Sequence, residues 1–432
     1  LAKPSASTPS STQTVPKVIT VTTPSRRYDV TIGRGLFSSL GSTTRNAVGP
    51  AAKRAAIIAD KNIPSELLSL ADVSLSRAGF FVARVSIEAT EANKSLRALE
   101  GLSSFLASMK LERTEPVVAI GGGIVGDLAG FAAAIHRRGC PVIQCPTTLL
   151  AMVDASVGGK TGVNLSIPSG NTIALLKNAL GAFHQPHAVV ADLATLDSLP
   201  PREFNAGLAE CVKHALLGGA FGEPKLLEWM ESATSEPRPS GRGPLQPSAT
   251  STWPAASLAE LIARNVAIKA QVVANDEREE AALSQGGESG GRALLNLGHT
   301  FAHAIETLPD LSFSLGDASS KDHAESTTHG PLLHGEAVAL GLIAASHLGV
   351  ALNHCDATLP ARITNLLRAL HLPTHVHGLP AADAILARMA HDKKSSGGSL
   401  RLIVPTNTPR TAIVVTNPPR DAMLSAIEAM TR

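Results

Sequence analysis

Aromatic side chains are scarce in this chain, 3% of 432 residues, with two tryptophans and a single tyrosine. Alanine and glycine are common instead, a composition that suits close-packed helices and tight glycine turns. Cysteine is also rare. Cys140, Cys145, Cys211 and Cys355 form no C-x-x-C pair, which argues against a zinc ribbon or a disulfide framework and for buried free thiols in a reducing compartment. No uninterrupted apolar run reaches the roughly 18 residues that a bilayer span needs. Charge of one sign is not in excess: the net charge is +2. Nothing therefore suggests a nucleic-acid surface, and any anion site must be local. Acidic residues are missing from the first 28 positions, which are rich in Ser, Thr and Pro and hold Lys3, Lys17, Arg26 and Arg27. The chain begins at Leu1. This stretch reads as a transit-segment remnant, a clipped chain or a plain tail over residues 1–20, favouring a plastid slightly over the cytoplasm.

The length is enough for two domains with large cores, and no internal repeat is evident. The runs Val18–Val21 and Tyr28–Ile32 predict a hairpin or paired strands. Ala55–Ala59, Phe80–Val85, Val117–Ile120, Val142–Cys145 and Ala188–Ala191 predict further strands, with helices between them at about 95–110 and 128–137. That alternation argues for a doubly wound parallel sheet over residues 21–198. Beyond residue 199 helical patterns dominate, at 203–217, 257–280, 292–308, 334–348, 360–370 and 380–391, with a late hairpin at 400–415. The fold expected is an α/β dinucleotide-binding half followed by a mostly α-helical metal and substrate half, 199–432. Four segments rich in Ser, Gly, Pro or mixed polar residues, about 166–174, 233–257, 282–291 and 310–331, read as disordered or loosely ordered surface insertions.

The chemistry gathers at a few places. In Asn296-Leu-Gly-His-Thr-Phe-Ala-His303 a helix would put His299 and His303 one turn apart on one face. Two such imidazoles can share a divalent metal, or one can bind metal while the other moves a proton. His334 and Glu210 are further candidate ligands, and two His with one Glu leave a fourth position open. Gly121-x-Gly123-x-x-Gly126 follows a strand and opens a helix, as a dinucleotide turn does. It lacks the acidic residue about 20 positions on that usually holds the ribose, although Asp60 and Glu91, each just past an earlier strand, could serve. Gly159-Lys160-Thr161 is not a P-loop, because Asp154 stands where the first glycine is needed. Lys160, Lys213, Lys269, Arg292 and Lys393 together suggest a site for a small polyanion.

Read in order, Gly121-Gly-Gly-Ile-Val-Gly-Asp127, Pro146-Thr-Thr-Leu-Leu-Ala-Met-Val-Asp154, Gly158-Gly-Lys-Thr-Gly162, Ala209-Glu-Cys-Val-Lys213, Asn296 to Glu306 and Leu333-His-Gly-Glu336 resemble the 3-dehydroquinate synthase family. The likeness runs from about residue 28 to 404. It implies an enzyme, a phosphorus–oxygen lyase that turns 3-deoxy-D-arabino-heptulosonate 7-phosphate into 3-dehydroquinate and phosphate on the shikimate route to chorismate and the aromatic amino acids. It also implies NAD, regenerated in every turnover, and a divalent metal, Zn2+ or Co2+. The partners implied are a small-molecule substrate and a second copy in a homodimer, with no nucleic acid and no membrane.

Residue by residue, the resemblance makes Glu210, His299 and His334 metal ligands and His303 a proton-transfer group. It carries NAD contacts to Asp60, Asn62, Glu91, Lys94, Gly122, Gly123, Asp127, Thr147, Thr148, Lys177, Thr195 and Ser198. It carries catalytic or substrate contacts to Arg138, Asp154, Lys160, Asn178, Lys213, Lys269, Glu279, Arg292, Asn296 and Lys393. Ala302 stands where the family usually has glycine. Three other readings share features with this one. A metal- and NAD-dependent polyol dehydrogenase would have little use for so many cations. Another sugar-phosphate cyclase lacks the substrate carboxylate that an arginine fork would match. A non-catalytic relative would not be expected to keep every chemical residue.

Overall fold

The structure is a computed structural model and describes residues 15–169, 172–235, 253, 255–280, 291–315, 327–393, 399–407 and 411–431. Strands β1 (Lys17–Thr22) and β2 (Arg27–Gly33) form the expected hairpin. After α1 (Leu40–Val48) come β3 (Arg54–Asp60), α2 (Ser65–Arg77), β4 (Phe81–Ile87), α3 (Leu96–Ser108), β5 (Val117–Gly121), α4 (Gly123–Ile135) and β6 (Val142–Pro146). A long hairpin, β7 (Lys160–Ser169) and β8 (Thr172–Phe183), precedes β9 (Ala188–Asp192). The main sheet has the order β1-β2-β9-β6-β5-β3-β4, parallel except for the β1–β2 pair.

Alternation along the strands separates the layers on the two faces of the sheet. Ala55, Ile57 and Ala59 of β3 pack with Leu68, Ala71 and Leu75 of α2, while Ala56 and Ile58 pack with Leu99, Leu102 and Leu106 of α3 and Leu128 of α4. From β3 the chain steps outward to β4 and then returns to β5 on the other side of β3. The C-terminal ends of β3 and β5 therefore flank a topological switch point, where open α/β sheets bind ligands. Asp60 closes β3 and Gly121 closes β5, so the acidic and glycine-rich candidates stand on either side of that crevice.

The second half contains α5 (Pro201–Leu217), α6 (Leu226–Ser235), α7 (Ala255–Asn275), α8 (His299–Ile305), a short pair β10 (Ser312–Ser314) and β11 (Thr327–His329), then α9 (His334–Ala351), α10 (Leu359–Ala369) and α11 (Ala382–Lys393). The hairpin β12 (Arg401–Thr406) and β13 (Thr411–Thr416) and helix α12 (Arg420–Glu428) complete it. Helix α9 is apolar all round and buried from Gly335 to Ser346, as befits a helix at the centre of a bundle. Its packing partners include α5, α8, α10, α12 and β12. The four cysteines are free and buried, and burial pushes the Cys140 thiol up to about 12 and Cys355 up to about 11.

Several expectations need correction. Residues 166–169 and 172–174 are not a loose insertion: they carry on the β7–β8 ladder, in which Ser166 pairs with Leu175 and Ser169 with Thr172. The segment at 310–331 contains the paired strands β10 and β11. The single helix expected over 292–308 is broken. A 3₁₀ turn at Gly291–Asn296 precedes Gly298, whose φ of 79° places it in the left-handed region, and α8 starts at His299. Helix α4 starts at Gly123, five residues before the predicted 128. Helices α6 and α12 lie outside the predicted set. Most of the other insertions, and the N-terminal tail to residue 14, lie outside the described residues.

Candidate active site

Three helices bring the ligand candidates together. Glu210 sits mid-way along α5 and is fully buried, His299 opens α8, and His334 opens α9. The Nε2 atoms of His299 and His334 lie 3.5 Å and 3.7 Å from Glu210 Oε1. Ligand atoms bonded at about 2.1 Å to a tetrahedral ion lie about 3.4 Å apart, so this spacing fits one ion with little rearrangement. Among the described residues neither Glu210 oxygen accepts a well-formed hydrogen bond, although Lys213 packs its ammonium against the carboxylate. A buried carboxylate without donor partners is costly unless cations face it. The residues therefore fit a divalent metal. His299 is oriented for ligation, because its Nδ1 donates to the Leu297 carbonyl at 3.2 Å and leaves Nε2 with its lone pair. Burial, and then Lys213, holds its imidazole well below the usual histidine range. His303 is exposed on the same face of α8, its ring centre 5.6 Å from that of His299 and 6.2 Å from that of His334.

The start of α9 is fixed from two sides. Glu336 accepts the Leu333 N–H at 2.7 Å and receives a two-pronged pair from Arg202 at 2.7 Å and 2.8 Å. Gly335 lies so close to α5 that a Cβ there would fall 1.9 Å from the Ala206 carbonyl oxygen. Only a residue without a side chain lets α9 come near enough for His334 to meet Glu210.

Beside the three ligands is a cleft of about 510 Å³, lined by Asp127, Asp154, Lys160, Asn178, Lys213, Lys269, Glu279, Arg292, Asn296 and His299, among others. Asp154 projects from a single π-helical turn, Ala151–Ala155. Burial alone would raise its carboxyl, but Lys213 and Lys269 outweigh that and hold it well below the usual range. Burial likewise works to lower Lys213, and Asp154 and Glu210 reverse it, so this ammonium is raised. Lys269 goes the other way. Burial dominates there and brings it down to about 8 despite its contact with Asp154. Arg292 is 1% exposed and donates to the Glu277 carbonyl at 2.8 Å. Lys160 pairs with Glu279 at 2.6 Å.

A second network joins the sheet to the hairpin. Lys94 donates to Asp127 at 2.6 Å and also bonds the Asn178 side chain. Burial raises Asp127 against the pull of Lys94. Asn164 accepts the Asn178 N–H at 2.8 Å and donates to the Glu91 carboxylate at 2.8 Å. Gly122 and Gly123 lie against Thr148 and Ala155, and Thr148 caps the next turn through the Ala151 N–H at 3.2 Å. Asp60 accepts the Asn62 N–H at 3.0 Å at the end of its strand. Thr195 and Ser198 lie in the turn after β9, bonded to the Asp192 and Thr195 carbonyls.

Two candidates, Lys177 and Arg138, sit outside the cleft's lining. Lys177 turns from β8 toward Glu306, at 2.9 Å. Arg138, at φ 65°, is exposed and outside the cleft's lining. The Lys393 side chain lies outside the described residues. Sequence reasoning does not pick out Asn164, Arg202, Glu306 or Glu336 as contributors. Only the last is within reach of a sequence signal, as a glutamate in the first turn of a helix.

This combination of a parallel α/β sheet and a helical half sharing a cleft has solved counterparts. A 2-deoxy-scyllo-inosose synthase complexed with carbaglucose-6-phosphate, NAD+ and Co2+ superposes with a TM-score of 0.67 at 22% identity, over 95% of this chain and 99% of that one. The 2-epi-5-epi-valiolone synthase of Streptomyces hygroscopicus, with NAD+ and Zn2+ bound, gives 0.64 at 23%, over 93% and 96%. The fold is thus the dehydroquinate synthase-like one. Residues 84–206 match the family model for 3-dehydroquinate synthase N-terminal, and residues 207–395 match that for 3-dehydroquinate synthase C-terminal. A 3-dehydroquinate synthase of Bradyrhizobium sp. (strain BTAi1) is 39% identical over 397 residues, 90% of each chain. The chain belongs to the 3-dehydroquinate synthase family.

Proposed function

We propose that this chain is a 3-dehydroquinate synthase, a lyase releasing phosphate from 3-deoxy-D-arabino-heptulosonate 7-phosphate and closing the carbocycle of 3-dehydroquinate. The observation that carries the reading is the meeting of Glu210, His299 and His334 at ligand spacing beside a cleft with Lys160, Lys213, Lys269 and Arg292. A divalent metal, Zn2+ or Co2+, would be held by Glu210, His299 and His334, and would supply stabilisation of negative charge on a substrate oxygen. NAD would be held at the crevice by the ends of β3 and β5, by Asp60, Asn62, Glu91, Lys94, Gly122, Gly123, Asp127, Thr147 and Thr148, with Thr195 and Ser198 as further contacts that the family resemblance carries, and would supply reversible hydride transfer.

The chain's own residues do the rest. The Arg292 fork matches the substrate carboxylate, and Lys160 and Lys269 balance phosphate charge. Lys213 and Lys269 keep Asp154 ionised, and Lys213 pairs with Glu210. Asp154, Asn178, Asn296 and Glu279 orient hydroxyl groups, and His303, exposed beside His299 and His334, exchanges the proton lost when phosphate leaves. Arg138 and Lys393 are carried as substrate contacts by the family resemblance. On this reading residues 21–198 form the dinucleotide half and 199–432 the metal and substrate half, and two copies form a homodimer. Among the described residues no helix is long and apolar enough to cross a membrane. The Bradyrhizobium relative is bacterial and lends no support to a plastid address.

Incubation with the heptulosonate phosphate and substoichiometric NAD tests the activity. Phosphate release beyond the NAD supplied, without net NADH, is the expected result. Steady NADH accumulation would instead indicate a dehydrogenase.

A second expectation concerns pH. Lys269, lowered chiefly by burial to about 8, is charged below that pH and neutral above it. If its charge binds substrate, kcat/KM falls as pH rises through about 8, and Lys269→Met lowers kcat/KM and removes this limb of the profile. An unaltered limb in the variant would assign the titration to another group.

A further inference from the structure

We propose that Glu306 is a positioning residue: its carboxylate fixes the ring of His334 for metal binding, and Lys177 on the β7–β8 hairpin holds that carboxylate in place. This rests on the metal reading given above. A histidine that ligates through Nε2 must carry its proton on Nδ1, and a partially buried N–H needs an acceptor. For His299 the acceptor is the Leu297 carbonyl. For His334 a carboxylate takes that place. Its Nε2 faces Glu210 at 3.7 Å, and its Nδ1 faces Glu306 Oε2 at 3.5 Å. The other oxygen, Glu306 Oε1, accepts from Lys177 Nζ at 2.9 Å. Glu306 is at the end of α8, one turn beyond His303, with its side chain 13% exposed. The chain of contacts runs from the hairpin through one carboxylate to the Nδ1 edge of the imidazole, leaving the opposite nitrogen for the ion.

The same atoms allow a competing arrangement. His303, Glu306 and His334 also offer ligand atoms within 4.8 Å of one another, so Glu306 could ligate a second ion directly. That arrangement leaves Glu306 unable to accept from His334 through the same oxygen, and it predicts two ions per chain.

Both are decided by measuring Co2+ binding to the full chain by competition with a chelator, with metal content per chain and the visible Co2+ spectrum as further readouts. Wild-type protein binding one Co2+ is the control. If it binds none, the metal reading fails before this proposal is reached. Glu306→Ala is expected to weaken Co2+ binding by roughly tenfold to a hundredfold and to shift the Co2+ absorption bands, the range seen when outer-shell partners of a ligating histidine are lost. Glu306→Gln keeps an acceptor oxygen and recovers part of the loss. Lys177→Met removes a half-exposed side chain and carries little folding risk, so it tests the clasp even should Glu306→Ala fold poorly. It is expected to weaken binding in the same direction by a smaller factor. Unchanged Co2+ affinity and spectrum in folded Glu306→Ala, or in Lys177→Met when Glu306→Ala does not fold, would overturn the proposal. So would two Co2+ per wild-type chain with one lost on substitution.

Discussion

Glu210→Ala is expected to lose bound metal and turnover together, with kcat/KM falling by more than about a hundredfold, the upper end of what losing a mere outer-shell partner costs. The expectation follows from placement. Glu210 supplies the only carboxylate in the cluster of Glu210, His299 and His334, and both imidazole Nε2 atoms point at its Oε1. Removing it also leaves Lys213, 1% exposed, to rely on Asp154 at 3.6 Å for its counter-charge. A buried ammonium that loses a counter-charge becomes easier to deprotonate, so stability falls as well. Separate melting and metal-content measurements distinguish these effects. A folded variant that retains full activity without bound metal would refute the assignment.

Gly335→Ala is expected to be nearly as damaging without touching any chemical group. The added methyl would sit 1.9 Å from the Ala206 carbonyl oxygen and 2.5 Å from its carbon, so backbone must move. Overpacking of a well-filled core costs about 1–3 kcal/mol, occasionally more. The movement available is to slide α9 off α5, which carries His334 away from Glu210. Weaker Co2+ binding together with a lower melting temperature is the expected pair of results. A variant as stable and as tight-binding as the wild type would show that the helices accommodate the methyl.

The parallel sheet is legible in the sequence because several of its strands are short apolar runs that end in glycine or aspartate: Val117–Ile120 before Gly121 and Ala188–Ala191 before Asp192 are examples. The β7–β8 ladder is not legible. Its tip is rich in Ser, Pro and Gly, which locally favour turns, and what makes it a strand pair is a partner across the hairpin. Leu165 pairs with Leu176 past a register shift after Val163. Helices α6 and α12 escape notice for a similar reason: each is short, and its few apolar residues, Leu226, Leu227 and Met230 in the first, count only once a neighbour covers them. At the site, His299 and His303 announce themselves by spacing. The meeting of Glu210 with His334 does not, since it depends on how α5 and α9 cross. The Arg202–Glu336 clamp spans 134 positions and the Lys177–Glu306 pair 129, distances over which no periodicity carries information.

One of the free thiols turns this architecture into its own gauge. Cys211 follows Glu210 directly on α5, fully buried, with Sγ turned to the Gly207 carbonyl at 3.7 Å. An alkylating reagent cannot reach it while α5 stays packed in the core. The rate at which iodoacetamide modifies this sulfur therefore counts how often α5 lifts out of its packing, and a bound ion anchoring Glu210 should slow that clock.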